Sequence, residues 1–307
     1  MAEEKRKIKY AVIAAEGIVE NDKGQVLLSR RATEPHKGRW GFNGTYVTSD
    51  VDSIELQVVA QVKVETGLDV EITDLVDVFD GPWIEHSYED ANVHIVQVVY
   101  KTKMIGGQLR ATSHADKHVW VSPTMAHGRR FAFNHRDMLR RYAKRKQENS
   151  FFPSDRSTYK EYYGTAYPYR YKEHVYVVPK SIIINEKNEI LLAHRIQEPF
   201  VGTWDFPGGR MKAHESIKEA LQREIIEELG VKSTVKGLFN VYSDKGTNPD
   251  FPRVMPLYFV DIHSTIFKKN IEMDDFKWFS LDALPDNVAY HIDHALHDIS
   301  KSLLGNS

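Results

Sequence analysis

Gly209-Arg-Met-Lys-Ala-His-Glu215-Ser-Ile-Lys-Glu-Ala-Leu-Gln-Arg223-Glu224-Ile-Ile-Glu227-Glu228-Leu-Gly230-Val231 carries more positional information than any other stretch of this chain. Glu224, Glu227 and Glu228 stand at i, i+3 and i+4, so a helix places them on one face. Ile217, Leu221, Ile225 and Leu229 recur every four residues and give that helix, expected over Glu215 to Leu229, an apolar stripe. Gly230 follows where a helix ends in a left-handed residue. Three carboxylates so close repel one another on an isolated helix. A divalent cation relieves the repulsion. Mg²⁺ and Mn²⁺ take hard oxygen ligands and keep positions open for phosphate and water. A solvated acidic face is the competing reading of a bare Glu-x-x-Glu-Glu. The Phe206-Pro207-Gly208-Gly209 turn just upstream and Arg223 beside the acids weigh against it.

The full spacing resembles the Nudix box. It runs Gly209, five residues, Glu215, seven residues, Arg223-Glu224, an aliphatic, any residue, Glu227-Glu228, any residue, Gly230 and an aliphatic. The resemblance implies a hydrolase of phosphoric anhydrides. Its substrate would be a nucleoside diphosphate linked to another moiety, such as ADP-ribose or NADH, and its products a nucleoside monophosphate and a second phosphate. It implies that Glu224, Glu227 and Glu228 bind Mg²⁺ or Mn²⁺, with the Gly209 carbonyl as a further ligand and Glu215 as an outer ligand or orienting group. Arg223 would hold a neighbouring glutamate aimed at the metal. The general base would be Glu228 or an acid from a later loop, Asp244, Asp250, Asp274 or Asp275.

A repeat organises the chain. Gln25 to Phe42 resembles Glu189 to Phe206 at an offset of about 164 residues. Arg31 pairs with Arg195, Glu34-Pro35 with Glu198-Pro199, Gly38 with Gly202 and Trp40 with Trp204. Asn134-His135 and Tyr290-His291 each open a closing helix. The pattern is a tandem duplication, a pseudo-dimer within one chain. The expected domains are 1–148, a linker over 149–172, and 173–307. Strands are expected over Tyr10 to Ile18 and Val175 to Ile184, over Val26 to Ser29 and Ile190 to Ala193, and over His94 to Lys101 and Val254 to Ile262. A helix is expected over Ile54 to Glu65. Patterning alone supports α/β or α+β. The resemblance implies two tandem α/β/α sandwiches with mixed sheets in a pseudo-twofold arrangement.

The copies differ chemically. Aligned through Gly67 and Gly230, Arg223 becomes Ala60, Glu224 becomes Gln61 and Glu227 becomes Val64; only Glu228 keeps its type, as Glu65. Pro-Gly-Gly becomes Asn43-Gly44-Thr45, and Glu215 falls opposite Asp52. One carboxylate does not make a metal site, so the first copy is expected to be hydrolytically dead. It serves either as a scaffold or as a donor of substrate-binding residues, with Trp83, Tyr88, Glu89 and Asp90 as candidates.

Around the box, the candidate substrate-binding residues are Arg195, Phe200, Trp204, Tyr242, Asp244 and Arg253. Arg195 pairs with a phosphate or stabilises a turn. Core packing is the competing role for Trp204.

The 307 residues suffice for two domains, and 41% hydrophobic content suits a globular core. No apolar run approaches a membrane span. The charged start, Met-Ala-Glu-Glu-Lys-Arg-Lys, does not read as a signal peptide. The chain has no cysteine, which excludes disulfides and is compatible with the cytoplasm. A net charge of −2 gives no general affinity for polyanions. From Arg129 to Lys146 there are eight Lys or Arg and one acid, followed by a tyrosine-rich segment. RNA binding is the alternative function this raises, as nucleotide sensing or capped-RNA processing. A closing helix with a solvated basic face is the simpler reading.

Overall fold

The computed structural model describes residues 11–48, 53–81, 95–126, 128–153, 175–212, 215–244, 253–289 and 292–305. The chain divides into two compact units, Met1–Tyr176 and Val177–Ser307.

The first unit contains β1 (Val12–Glu20), β2 (Val26–Arg31), β3 (Trp40–Gly41), β4 (Asn43–Tyr46), α1 (Ile54–Thr66), β5 (Leu68–Gly81), β6 (Ile95–Gly107), β7 (Ala115–Val121), α2 (His135–Glu148) and β8 (Phe152–Pro153). They form one mixed sheet in the order β3-β2-β1-β6-β5-β8, with β4 beside β1 and β7 beside β2. The β1–β6 pair is parallel, the others antiparallel. Alternation along β1 explains the layering. At Gly17 an added Cβ would lie 3.0 Å from Val58 and 3.1 Å from Val62, so α1 lies on that face. The next residue, Ile18, joins Met138, Leu139 and Tyr142 of α2 in the core on the other face.

The second unit contains β9 (Tyr176–Val177, whose first residue is the last of the first unit), β10 (Lys180–Ile182), β11 (Glu189–Arg195), β12 (Trp204–Asp205), α3 (Ile217–Leu229), β13 (Ser233–Asp244), β14 (Arg253–Ile262), β15 (Met273–Ser280) and α4 (Asp293–Leu304). One sheet runs β10-β14-β13 with β9 on β14; a second runs β12-β11-β15. Here too the pair that matches β1–β6, β10–β14, is parallel. Ile182, Leu192, Phe206 and Leu257 pack with Leu296 and Ile299 of α4.

The duplication is visible in bonding as well as in sequence. Asn21 Oδ1 accepts from the amides of Lys23 and Gln25, and Asn185 Oδ1 accepts from those of Lys187 and Glu189. Phe200 and Gly202 repeat the positive φ of His36 and Gly38. The expected strand Val175 to Ile184 is split into β9 and β10 around Val178-Pro179, because proline donates nothing to a ladder. Strand β1 starts two residues later than Tyr10, which lies outside the described residues, and runs to Glu20. Phe151 and Phe152, expected in the linker, belong to the first unit. Phe152 pairs with Leu75 of β5, Phe151 lies 5.4 Å from the Tyr142 ring, and Arg145 sits 4.3 Å over Phe152. The basic helix α2 is largely ion-paired. Arg141 and Arg145 meet Asp77, and Lys146 meets Glu20. Trp83, Tyr88, Glu89, Asp90 and the tyrosines of 154–174 lie outside the described residues. Among the described residues, no helix is long and apolar enough to cross a membrane.

Candidate functional site

Helix α3 begins at Ile217 rather than Glu215. Ser216 is its N-cap, and a capping box with Glu219 closes both ends of the first turn's unmet bonding. Glu215 therefore sits just outside the helix, where it can reach Arg223. Ile217, Leu221, Ile225 and Leu229 are all buried. Gly230 ends the helix at φ 74°. Asn270 Nδ2 donates to the carbonyls of Glu227 and Glu228 and finishes that end.

Arg223 organises the acids. Nε and Nη2 grip Glu215 at 2.9 and 2.7 Å, while Nη1 reaches Glu224 at 2.5 Å and Glu227 at 2.9 Å. Nη2 also donates to the Arg210 carbonyl. Glu215 in turn raises the Arg223 pKa above its ordinary value. Burial pushes the Glu215 carboxyl up, but its bonds from Arg223 and the Lys212 amide outweigh burial and leave it below the usual range. Burial raises Glu224.

Glu228 lies beneath, 4% exposed, and accepts from the Gly208 amide at 2.8 Å. Burial pushes its carboxyl up to about 8, against the opposing pull of Lys180 and the Gly208 amide. The turn that supplies this amide needs glycine twice. Gly208 has φ 132°, and a Cβ on Gly209 would lie 2.6 Å from the Glu224 carboxyl carbon.

The residue that sequence reasoning missed is Lys180. It is 3% exposed and its Nζ donates to Asp205 Oδ2 at 2.9 Å, the Phe206 carbonyl at 3.1 Å and the Gly208 carbonyl at 2.7 Å. It thus fixes the Pro207-Gly208-Gly209 turn and places a cation beside Glu228. A lysine within a run of apolar strand residues was the available signal, because lysine is almost never buried unless paired.

Arg195 donates from Nε to the Pro199 carbonyl and from Nη1 to Asp205. Arg31, in the copy without the acids, makes the same bond to the Pro35 carbonyl. A bond kept in both copies belongs to the turn. Trp204 packs edge-on against Phe279 at 4.9 Å. Tyr242 donates to Asp298 of α4 at 2.7 Å. Phe200 is half-buried in the turn, and its carbonyl accepts from the Thr203 hydroxyl. Asp244 and Arg253 are register partners in the β13–β14 ladder. Among the candidate bases, Asp274 is bound to His194 at 2.7 Å, which holds its pKa low. Asp275 pairs with His194 across the β11–β15 ladder and is exposed, and Asp250 lies outside the described residues.

Among the described residues, no three acidic or histidine side chains converge on one point. Arg223 stands among Glu215, Glu224 and Glu227 and holds them by charge. The donor chemistry nonetheless fits a hard divalent cation: the box offers carboxylate oxygens and the Gly209 carbonyl, and burial disfavours a charge on Glu228 that a cation would stabilise.

A NUDIX domain family model matches residues 11–142 and again 177–299. An ADP-ribose pyrophosphatase of Methanocaldococcus jannaschii is 34% identical over 103 residues, 34% of this chain and 61% of that protein. A putative 8-oxo-dGTP diphosphatase of Bacillus subtilis is 35% identical over 105 residues, 34% of this chain and 66% of that protein. The chain thus spans just under two thirds of the length of each of these relatives. A solved MutT NUDIX hydrolase from Burkholderia pseudomallei is 27% identical, covering 43% of this chain and 99% of that one at a TM-score of 0.38. The duplicated sequence, its two mixed sheets built on a parallel strand pair, and the two matched segments agree: the chain belongs to the NUDIX family, twice over.

Proposed function

We propose that the second unit is a metal-dependent pyrophosphohydrolase that cleaves a nucleoside diphosphate linked to another moiety, with ADP-ribose or an NADH-like nucleotide as its substrate class. The observation that carries the proposal is the single arginine that holds three glutamates on the helix that also carries the buried Glu228. Such a cluster is costly for a helix, and a site for phosphate chemistry accounts for it. The substrate class rests on the ADP-ribose pyrophosphatase relative.

Glu224, Glu227 and Glu228 would hold Mg²⁺ or Mn²⁺, with the Gly209 carbonyl and Glu215 in support. The bound cation would neutralise the pyrophosphate and lower the pKa of a coordinated water. Arg223 orients the acids from behind, in the manner of groups that aim metal ligands. Lys180 fixes the glycine turn that carries the Gly208 amide to Glu228. Glu228, or an acid from a later loop, would take the proton from the coordinated water. Arg195, Trp204 and Tyr242 carry contacts that build the fold, and Phe200, Asp244 and Arg253 stay as the candidates for recognition. The first unit, with Ala60, Gln61 and Val64 at the box positions, contributes no hydrolysis.

The test is hydrolysis of a panel containing ADP-ribose, NADH, a dinucleoside polyphosphate, a nucleoside triphosphate and capped RNA, with Mg²⁺ or Mn²⁺ and with chelator. The proposal expects metal-dependent release of nucleoside monophosphate from ADP-ribose or NADH, lost in Glu227→Gln. Turnover unaffected by Glu227→Gln, or none from either nucleotide, rejects it.

A further inference from the structure

Two acids of α3 stand at the end of the helix that disfavours them. Glu227 and Glu228 lie in its last turn, just before Leu229 and the Gly230 stop. The last four carbonyls of a helix have no partner within it, and the helix dipole makes that end negative. Helix α1 meets the same problem with a cation: Lys63 lies in its last turn and its Nζ donates to the Gly67 carbonyl. Helix α3 has Ile226 at that position and no base in its last turn.

The segment before β15 closes this end instead. The Ile226 carbonyl accepts from the Gly230 amide and the Leu229 carbonyl from the Lys268 amide, both at 3.1 Å. The two carbonyls between them, of Glu227 and Glu228, accept from Asn270 Nδ2 at 3.2 and 2.5 Å. All four terminal carbonyls are thereby met, and one side chain meets the two that belong to box acids. Asn270 is itself fixed, because its Oδ1 accepts from the amides of Glu272 at 2.8 Å and Met273 at 2.9 Å. A side-chain amide has two protons and two lone pairs, and here all of them are used.

The first unit keeps this brace with one donor fewer. The Arg110 amide donates to the Thr66 carbonyl as Lys268 does to Leu229. The Thr112 amide donates to the Ala115 carbonyl as Asn270 does to Met273, and the Ala32 amide to the His114 carbonyl as Ile196 does to Glu272. Thr112 thus stands where Asn270 does. Its hydroxyl accepts from the amides of His114 and Ala115 and donates to the Glu65 carbonyl. A hydroxyl carries one proton, and that bond matches the one from Asn270 to Glu228. The bond kept in both copies belongs to the fold. The bond that the amide adds falls on the carbonyl of Glu227, a metal acid that the first unit replaces by Val64.

We infer that Asn270 is a positioning residue for the metal site: it holds the last turn of α3 so that Glu227 and Glu228 present their carboxylates together to the cation. Arg223 orients the acids from the side-chain end, and Asn270 orients them from the backbone end. The inference rests on the metal-binding reading of the box proposed above.

The test is binding of Mn²⁺ alone to the full chain, followed by the electron paramagnetic resonance signal of the free ion, with thermal melts in parallel. Asn270→Thr installs the first copy's residue, which keeps an acceptor and one donor and gives up the bond to Glu227. Mn²⁺ affinity should fall about fivefold, the worth of one hydrogen bond, with the melting midpoint little changed. Asn270→Ala removes every side-chain bond and should cost about tenfold or more, as for other groups that orient metal ligands. Where Asn270→Ala does not fold, Asn270→Thr decides. Thr112→Val removes the matching hydroxyl from the first unit and should leave Mn²⁺ affinity at the wild-type value. Glu227→Gln separates this inference from the reading beneath it. A wild type that binds no Mn²⁺, or binding that Glu227→Gln leaves unchanged, defeats the metal reading and the inference with it. Binding that Glu227→Gln weakens but Asn270→Thr and Asn270→Ala leave intact overturns the inference alone. An equal loss of affinity in Thr112→Val overturns it too, because the effect is then a general loosening of the chain.

Discussion

Replacing Lys180 by Met removes a cation and keeps nearly the same volume. Lys180 and Asp205 are 3% and 0% exposed at the side chain, so the substitution leaves Asp205 charged in the core with only Arg195, at 3.4 Å, to compensate. Breaking one side of a buried pair costs about 3–5 kcal/mol. The Phe206 and Gly208 carbonyls lose their donor as well, and each unmet group carries a further penalty of about 1–3 kcal/mol where water does not reach it. The contributions overlap, and a net loss of about 4 kcal/mol is the working figure. Hydrogen-exchange mass spectrometry of the full chain reads the two units separately. Peptides from β10, β12 and α3 should lose protection by roughly that amount, while peptides from β1 and α1 should not change. Adding Asp205→Asn should restore more than half of the loss, because the stranded charge is then gone. A loss under about 1 kcal/mol, the level of an exposed pair, would refute the assignment of Lys180 as a buried structural cation. A double variant no better than Lys180→Met would refute it equally.

Further outcomes follow from other contacts. Ser216→Ala removes the α3 cap and should cost about 1 kcal/mol in urea unfolding, with Glu227 and its neighbours still in place. Arg223→Lys keeps the charge but loses the fork that grips Glu215; kcat should fall by about tenfold or more with the melting midpoint little changed, as when a group that aims a metal ligand is lost. Burial raises the Glu65 pKa above 4.5, its bonds from Asn43 and Gln61 notwithstanding. A carboxyl raised in the fold stabilises it below the unfolded pKa and loses that contribution as pH rises through the folded value. Thermal melts of wild type and Glu65→Gln should therefore shift in the variant's favour as pH rises from 4.5. A constant difference across that window would contradict the burial.

Much of this site was legible because its chemistry is carried by residues at fixed helical spacing. The shared face of Glu224, Glu227 and Glu228, the stripe beneath it and the Gly230 stop all follow from a 3.6-residue period. The start of α3 was misplaced by two residues because Glu215 looked like a first-turn acid, while Ser216 and Glu219 form the box that begins the helix. The turn contact of Arg195 was not readable from the sequence: sequence pairs it with Arg31, but the shared bond to the carbonyl of the following proline is a property of the folded turn. Lys180 was read as part of a strand because a buried cation is identified by what surrounds it, and Asp205, Phe206 and Gly208 lie more than two dozen residues away in sequence. The break at Pro179 was visible in principle, since a proline within an apolar run interrupts a strand.

The most direct test of the account compares aligned positions of the two helices. Hydrolysis of ADP-ribose with Mg²⁺ is measured for wild type, Glu224→Gln in α3 and Gln61→Ala in α1. The account predicts that Glu224→Gln abolishes turnover and that Gln61→Ala leaves it intact. Turnover that survives Glu224→Gln, or falls with Gln61→Ala alone, would contradict the assignment of catalysis to the second unit.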